Sequence, residues 1–186
     1  MPAALSTELP SAHDVAAFWR EAGPARWFKK DERFDSEFKA RFEAAHRAAA
    51  NGQLEAWSGT AEGALALLLL LDQFPRNCFR DSAQSFATDA KARAVADAAI
   101  AAGLDQEVEP ALRAFFYLPF MHSESLADQE RSVALNDALD DNTRRFAVLH
   151  RDIVARFGRF PHRNAVLGRE STPEEERFLA EGGFSG

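Results

Sequence analysis

The sequence predicts an all-α protein in which about eight helices form an irregular array around a buried central helix at residues 60–74. No stretch shows the sustained alternation of apolar and polar residues that indicates a half-buried strand. Apolar residues recur instead at helical spacing, as Phe34, Phe38 and Phe42 do. Residues 60–80 open on a cap-like threonine and become apolar on every side, and such a helix has to be covered by its neighbours.

The first predicted helix begins after a loose N-terminal tail, residues 1–10, in a single domain that spans residues 1–186. Ser11 is typical of an N-cap, and Asp14 lies in the first turn, where a negative charge is favourable. Gly23-Pro24 should end this helix, because that dipeptide favours a turn.

An aromatic connector and a long amphipathic helix come next. We expect Trp27-Phe28 to fill a gap in the core between two helices. Residues 31–50 carry a phenylalanine stripe at helical spacing, and Asn51-Gly52 is typical of a C-terminal stop.

The central helix should start after Thr60, an N-cap that has Gly63 instead of glutamate at the capping-box position. We expect it to end at Phe74, because the following Pro75 disfavours the helical conformation of the residue before it. A loop over residues 77–87 would connect it to the next helix.

Two helices and a short buried one should follow. Thr88 is placed to cap a helix that Gly103 ends, and Pro119 should kink or end a buried helix that precedes Ser125. Apolar residues of the helix that starts at Ser125 are expected to face inward: Leu126, Val133, Ala134 and Leu139.

The C-terminal part is predicted to contain two more helices. After a turn at residues 140–142, a helix over residues 143–157 would end at Gly158. Thr172-Pro173 is a strong helix start, and residues 182–186 form a C-terminal tail. The stripe expected to face inward on the helix over residues 143–157 consists of Phe146, Leu149, Ile153, Val154 and Phe157.

Composition bounds the class of protein. The chain has 186 residues, of which 46% are hydrophobic and 27% charged, as in ordinary globular proteins. A single cysteine excludes an intramolecular disulfide, and the apolar run at residues 64–71 is too short to cross a bilayer. The N-terminus lacks the features of a secretory signal, so we expect a cytosolic protein.

The net charge of -7 argues against a general nucleic-acid-binding protein, but the charge is unevenly distributed. Residues 144–169 contain seven arginines and one acidic residue, a net charge of +6, so the rest of the chain carries -13. Arginine is the side chain that binds carboxylates and phosphates in a bidentate manner.

A set of short motifs covers most of the chain in a fixed order: Trp27-Phe28, residues 72–77, 117–120 with 122–124, 128–130, 156–164 and 167–169. The chain resembles the bacterial family known as domain of unknown function 924, whose members are similar to tetratricopeptide-like (TPR-like) helical arrays. The resemblance implies a TPR-like superhelix, irregular here because the sequence has no repeat of about 34 residues. It implies no activity and no catalytic residues.

Two similar segments, residues 74–77 and 160–164, each place Arg-Asn shortly after Phe-Pro near a helix end. One interpretation is structural. Proline ends the helix, asparagine tolerates the left-handed conformation of a C-terminal cap, and arginine complements the negative end of the helix dipole.

The alternative is that the two segments form one binding site. If they lie on the same side of the array, Arg76 and Arg163 would bind an anion between them. Arg156 and Arg159 would add positive potential. The full set of expected ligand-binding residues is Asp72, Arg76, Asn77, His122, Glu124, Arg156, Arg159, His162, Arg163 and Asn164.

His122, Glu124 and a more distant histidine form the second group of candidates. Two histidines and one carboxylate are a common metal-binding set, so His122, Glu124 and His162 are candidate metal ligands and candidate catalytic residues. The alternative is that these histidines, with His150, are buried in a polar network.

Acid–base chemistry is a third interpretation. A carboxylate beside His122 would raise the pKa of that histidine and suit it to proton transfer. Alternatively, Asp72 and Asp128 pair with nearby arginines and fix helix ends. Cys78 has no histidine motif around it, so we interpret it as an ordinary thiol. No cofactor motif is present, and we predict no cofactor.

Two function classes remain. The preferred one is a helical-array binding module whose pocket, formed by residues 72–77, 122–131 and 150–164, holds a small anionic ligand or a peptide carboxylate. The alternative is a hydrolase-like or metal-assisted enzyme that uses the histidines and glutamate of the same pocket. A third interpretation is an RNA or protein adaptor that binds through the segment of charge +6. We expect no DNA partner and no membrane association.

Overall fold

The computed structural model describes residues 9–186, and this part of the chain is helical with no β-strand. It contains nine helices if the continuous helical run at residues 61–78 is counted as one. The predicted all-α fold is therefore confirmed. The predicted tail at residues 1–10 lies mostly outside the described residues.

The helices are numbered in chain order, and 3₁₀ turns occupy several of the connections between them. The eight helices with uniform geometry are α1 Ala12–Ala22, α2 Pro24–Trp27, α3 Glu32–Ala50, α5 Asp89–Ala101, α6 Ala114–Met121, α7 Leu126–Asn136, α8 Asp141–Phe157 and α9 Pro173–Ala180. The remaining helix, α4, consists of Ala61–Leu68, a π-helical turn at Leu69–Gln73 and Phe74–Cys78.

Helix α4 is the buried centre of the fold. No residue from 64 to 71 is more than 3% exposed. Helices α1, α3, α5 and α6 all pack against α4, and α7 and α8 extend the array beyond α6. A helix that is apolar on every side is thus covered on every side, as the sequence predicted. None of the helices in residues 9–186 combines the length and hydropathy needed to span a membrane.

The expected end of α4 at Phe74 is wrong, because the helix continues to Cys78 through a π turn. The Phe74 N–H bonds to the Leu69 carbonyl, five residues back. Pro75 has no N–H to donate and its ring crowds the carbonyl of Leu71, four residues before it. The wider turn accommodates the ring, so the helix does not break.

Two side chains from neighbouring helices satisfy carbonyl groups of the π turn. His46 Nδ1 donates to the Leu70 carbonyl at 2.8 Å, and the Thr88 hydroxyl donates to the Leu71 carbonyl at 2.5 Å. Thr88 is the N-cap residue of α5, as predicted, but its hydroxyl makes no capping hydrogen bond because it is used here instead. Buried carbonyls need such partners, because leaving one unpaired is costly.

Capping predictions at both ends of the chain are confirmed. Ser11 and Asp14 form a capping box at the start of α1, and Thr172 and Glu175 form another at the start of α9. Gly23-Pro24 ends α1, as expected, although Pro24 immediately begins the short helix α2.

Several aromatic and apolar residues were assigned to the wrong environment. Phe28 is 67% exposed and stacks on Phe115, whereas Trp27 is buried as expected. On α8, Phe146 and Leu149 are about half exposed, and the N-terminal half of the buried face is formed by Ala147 and His150. In this half of α8 the buried face lies one residue further along the chain than predicted, because His150 is buried in place of Leu149.

Helix α7 buries polar residues where apolar ones were expected. Leu126 is exposed, and the buried side chains of α7 are Gln129, Ser132 and Asn136. The Gln129 amide donates to the carbonyls of Met121 and Ser123, both at 2.6 Å. It therefore caps the C-terminal end of α6, whose last carbonyls have no helical donors.

The C-terminal region has a small apolar cluster of its own, separate from the main core. Its buried members are Ile153, Val154 and Phe160, and three partly buried aromatic rings pack against them: Phe157, Phe178 and Phe184. The predicted tail at residues 182–186 thus contributes a core residue, Phe184.

Candidate functional site

The π turn of α4 places a carboxylate in the interior. The Asp72 side chain is 1% exposed, and its Oδ1 atom lies 2.8 Å from Nδ1 of His122, at the end of α6. Gln73 Nε2 donates to Asp72 Oδ2 at 2.7 Å, and Arg76 Nη1 lies 3.2 Å from Oδ1. A buried carboxylate is thus hydrogen-bonded on both oxygens, which its burial requires.

Arg76 joins this carboxylate to a second one. Its Nη1 and Nη2 atoms donate to the two oxygens of Asp89, at 2.8 and 2.9 Å. Asp89 lies in the first turn of α5, where the helix dipole favours a negative charge. Arg76 therefore makes a bidentate ion pair across the packed helices.

Arg163 reaches the same place from the C-terminal region, out of the 3₁₀ turn Pro161–Arg163. Its Nη2 donates to the His122 carbonyl at 2.8 Å, and its Nη1 lies 3.9 Å from Asp89 Oδ2. The guanidinium carbon lies 4.4 Å from the ring centre of Phe86 and 4.6 Å from that of Phe160. We call Asp72, Arg76, Asp89, His122 and Arg163 the central polar cluster.

The hydrogen-bonding capacity of Arg163 is largely unused. Its side chain is 8% exposed, and its Nε atom is buried without a partner within residues 9–186. The nearest carboxylate, Asp89, is already engaged by both terminal nitrogens of Arg76. A buried guanidinium with a free donor is costly, so this position favours an additional acceptor.

Burial and neighbouring charges determine the protonation states of Asp72 and His122. Burial alone would raise the pKa of Asp72, but the hydrogen bond from His122 and the positive charge of Arg76 outweigh it and lower that pKa. We expected a neighbouring carboxylate to raise the pKa of His122, but burial and the charge of Arg76 lower it instead. At neutral pH, Asp72 is therefore ionised and His122 is neutral.

The pKa values of the two arginines in the cluster are also shifted in opposite directions. The carboxylates of Asp72 and Asp89 raise the pKa of Arg76 despite its burial. Burial and the charge of Arg76 lower the pKa of Arg163 to about 10. Arg163 is the less compensated of the two, so an anion beside it would relieve an unfavourable charge.

Four residues singled out from the sequence are brought together in this cluster: Asp72, Arg76, His122 and Arg163. The two Phe-Pro segments thus do meet at one place. Sequence analysis missed Asp89 and Phe86. Asp89 directly follows the N-cap residue Thr88, and an acid in the first turn is a common feature of helices, so no local pattern linked it to arginines elsewhere.

Glu124, a candidate metal ligand, catalytic group and ligand-binding residue, is engaged elsewhere. Arg169 donates to both of its carboxylate oxygens, at 2.8 and 2.9 Å, and the Phe160 N–H donates to Oε1. Burial alone would raise the pKa of Glu124, but the hydrogen bond from Arg169 contributes to lowering that pKa below its usual value. The carboxylate is therefore part of a structural ion pair.

Three further candidates bind acidic groups near α9 and not in the cluster. Arg156 pairs with Glu174 on the surface, and Arg159 makes a bidentate pair with Glu175. Asn164 Nδ2 donates to the same Glu175, at 3.2 Å. These residues attach α9 to the preceding segment, so they are not part of the central polar cluster.

Asn77 and His162 also point to other parts of the molecule. Asn77 Nδ2 donates to Asp35 in α3 at 2.7 Å. The His162 ring packs edge-on against Phe184, and its Nδ1 is buried without a partner within residues 9–186. The proposed metal set is therefore not assembled, and the described residues contain no other group of three or more side chains placed to hold a metal ion.

Cys78 has the environment of an unreactive thiol. Burial and the nearby Asp35 carboxylate raise the pKa of Cys78 to about 12, so the thiolate is scarce at neutral pH. This agrees with its interpretation as an ordinary thiol.

The positive segment at residues 144–169 is largely neutralised by its surroundings. Six of its seven arginines lie within 4.0 Å of a carboxylate. The excess of +6 in the sequence therefore becomes a set of ion pairs, and it does not form one continuous basic surface.

Comparison with known proteins places the chain in a family. Residues 15–183 match the family described as bacterial protein of unknown function (DUF924). A solved structure of a protein of unknown function from Agrobacterium tumefaciens is 56% identical in sequence, with a TM-score of 0.91, over 92% of this chain and 97% of that one. A comparison with curated proteins gave no match. The chain belongs to the DUF924 family.

Proposed function

We propose that the central polar cluster is a binding site for a small anionic ligand, with Arg163 as the residue that contacts it. The single observation that supports this most directly is the unused hydrogen-bonding capacity of Arg163. This side chain is nearly buried, has a free Nε donor and lies 3.9 Å from the closest carboxylate. A carboxylate or phosphate group would supply the missing acceptor.

Arg76 has a different role in this proposal. Both of its terminal nitrogens already donate to Asp89, and one also contacts Asp72. It holds the two acids in place, so Asp89 has little remaining capacity to neutralise Arg163. The site is thus built from one saturated arginine and one that is open to a ligand.

The alternative function, an enzyme, would use three predicted residues that do not lie together. Both oxygens of Glu124 accept hydrogen bonds from Arg169, and His162 packs against Phe184. A hydrolase-like mechanism through His122, Glu124 and His162 together has no support in this geometry. Of the three, only His122 belongs to the central polar cluster.

The test compares ligand binding in matched arginine variants. Calorimetry and thermal shift with sodium phosphate and sodium acetate should detect binding to the wild-type protein. Arg163→Gln should weaken binding about tenfold or more, because a charge-assisted hydrogen bond contributes about 1.5–3 kcal/mol. Arg156→Gln, which removes a surface-paired arginine of the same segment, should leave binding unchanged.

Two results would overturn the proposal. One is that neither phosphate nor acetate binds to the folded wild-type protein. The other is equal loss of affinity in both variants, which would indicate a general effect of charge. Because the ligand-induced shift is compared within each variant, a change in the stability of the unliganded protein does not affect the conclusion.

A further inference from the structure

The imidazole of His122 has one engaged nitrogen and one free nitrogen. Nδ1 lies 2.8 Å from Asp72 Oδ1, which is a hydrogen-bonding distance. Nε2 has no hydrogen-bond partner within residues 9–186, and the side chain retains 15% of its exposure. The free nitrogen is therefore available to a ligand.

The buried carboxylate determines which hydrogen-bonding group this free nitrogen presents. An ionised carboxylate is only an acceptor, so Nδ1 must carry the proton that it receives. Nε2 of the neutral ring then carries a lone pair and acts as an acceptor. Because Asp72 is held on both oxygens by Gln73, Arg76 and His122, this tautomer is fixed.

The site therefore presents hydrogen-bond acceptors, on His122 and Asp89, together with one donor side chain, Arg163. Arg163 donates to the backbone carbonyl of His122, so the open guanidinium is adjacent to this histidine. Asp89, 3.9 Å from Arg163, adds a negative charge beside the guanidinium. An anion with no hydrogen of its own would place its oxygens near the lone pair of Nε2 and the Asp89 carboxylate, which is unfavourable.

We infer that the site selects an anion that carries its own hydrogen-bond donor, and we identify that group as a hydrogen phosphate, free or as a phosphate monoester. Its anionic oxygens accept from Arg163, and its O–H donates to Nε2 of His122. Sulfate has the same shape but carries no proton near neutral pH, so it cannot make the second bond. This inference rests on the proposed function.

The direct test compares phosphate with sulfate on the wild-type protein by calorimetry near neutral pH. Phosphate should bind about tenfold or more tightly than sulfate, because sulfate leaves the Nε2 acceptor of His122 without a donor in a buried site. Methyl phosphate carries an O–H only as the monoanion, which predominates below about pH 6, so it should bind like phosphate at about pH 5.5 and lose affinity as the pH rises. Dimethyl phosphate, which has none, should behave like sulfate. Tighter binding of inorganic phosphate than of methyl phosphate would assign the site to free phosphate, and tighter binding of methyl phosphate would assign it to a phosphate monoester.

A histidine variant separates recognition by His122 from general attraction by charge. In His122→Gln the amide rotates to present either a donor or an acceptor, so the ratio of phosphate to sulfate affinity should fall to about one. The matched control, His13→Gln, alters an exposed histidine that pairs with Glu62 and should retain the wild-type ratio. If His122→Gln does not fold, the wild-type comparison of the four anions decides alone.

The outcomes distinguish the two proposals. Equal binding of phosphate and sulfate to the wild-type protein would overturn this inference and leave anion binding by Arg163 intact. Binding of neither anion would overturn both. An unchanged ratio in folded His122→Gln would show that another group makes the selection, and the inference would then be wrong.

Discussion

The main core around α4 and the C-terminal region are held together in different ways. Around α4, stacked and edge-on aromatic rings dominate, with Phe38 in contact with five other rings. The C-terminal region has only a small apolar cluster, and partly buried ion pairs such as Arg159–Glu175 attach it. One region depends on apolar area and the other on particular polar contacts.

This difference explains where the candidate site lies. Asp72 and Arg76 come from the helix at the centre of the main core, and Arg163 comes from the C-terminal region. The site forms only where the two regions meet. Ligand binding therefore depends on the attachment of the less apolar region as well as on the stability of the core.

The largest expected effect is in the main core. Phe38→Ala removes a fully buried ring and leaves a cavity, and it should lower the free energy of unfolding by about 3–5 kcal/mol in urea denaturation. Phe28→Ala, which removes a largely exposed ring, should cost less than about 1 kcal/mol. Equal losses would show that burial does not govern stability in this core.

An intermediate effect is expected in the C-terminal region on acidification. Burial lowers the pKa of His150 from 6.5 to about 4 in the folded protein. Between these values the unfolded chain binds a proton that the folded chain does not, so stability falls as pH falls. We expect a loss of roughly 2–3 kcal/mol, measured by urea denaturation at both ends of this interval.

The control for this prediction removes the titrating group. His150→Gln should show a smaller loss of stability over the same interval, whereas the exposed His13→Gln should follow the wild type. Because burial and Arg163 lower the pKa of His162 to about 4 as well, part of the loss should persist in His150→Gln. A His150 variant with the full wild-type loss would contradict the assignment.

The smallest effect compares two neighbouring glutamates of α9. The Glu175 side chain is 2% exposed and binds Arg159, Asn164 and the Thr172 N–H, whereas Glu174 pairs with Arg156 on the surface. Glu175→Gln should destabilise the C-terminal region by about 1–3 kcal/mol, and Glu174→Gln by less than about 0.5 kcal/mol. Hydrogen exchange of residues 159–180 measures both, and similar protection in the two variants would contradict a structural role for Glu175.

The pattern of the sequence predicts the apolar region well. Helical spacing places Phe34, Phe38 and Phe42 in the core, and the caps at Ser11 and Thr172 set helix starts correctly. These features are local, so a short window of sequence contains the information. The buried face of α8 was misjudged because His150 takes a position that an apolar residue was expected to hold.

The polar contacts are only partly predictable. The duplicated Phe-Pro segments indicated that Arg76 and Arg163 belong together, and the structure brings them to one carboxylate, Asp89. No local pattern indicated that Glu124 would bind Arg169, 45 residues away. Ion pairs between distant segments depend on how helices pack, and that information is absent from residue spacing.

The π turn of α4 amounts to one additional residue in the helical path. Each residue turns an α-helix by about 100°, so if residues 69–73 took regular α-helical geometry with no residue removed, everything beyond them would rotate by about that angle. Arg76 would then face away from Asp89 although its own sequence neighbourhood is unchanged. The polar interior of this protein thus depends on the π turn, which absorbs one residue and keeps Arg76 directed at Asp89.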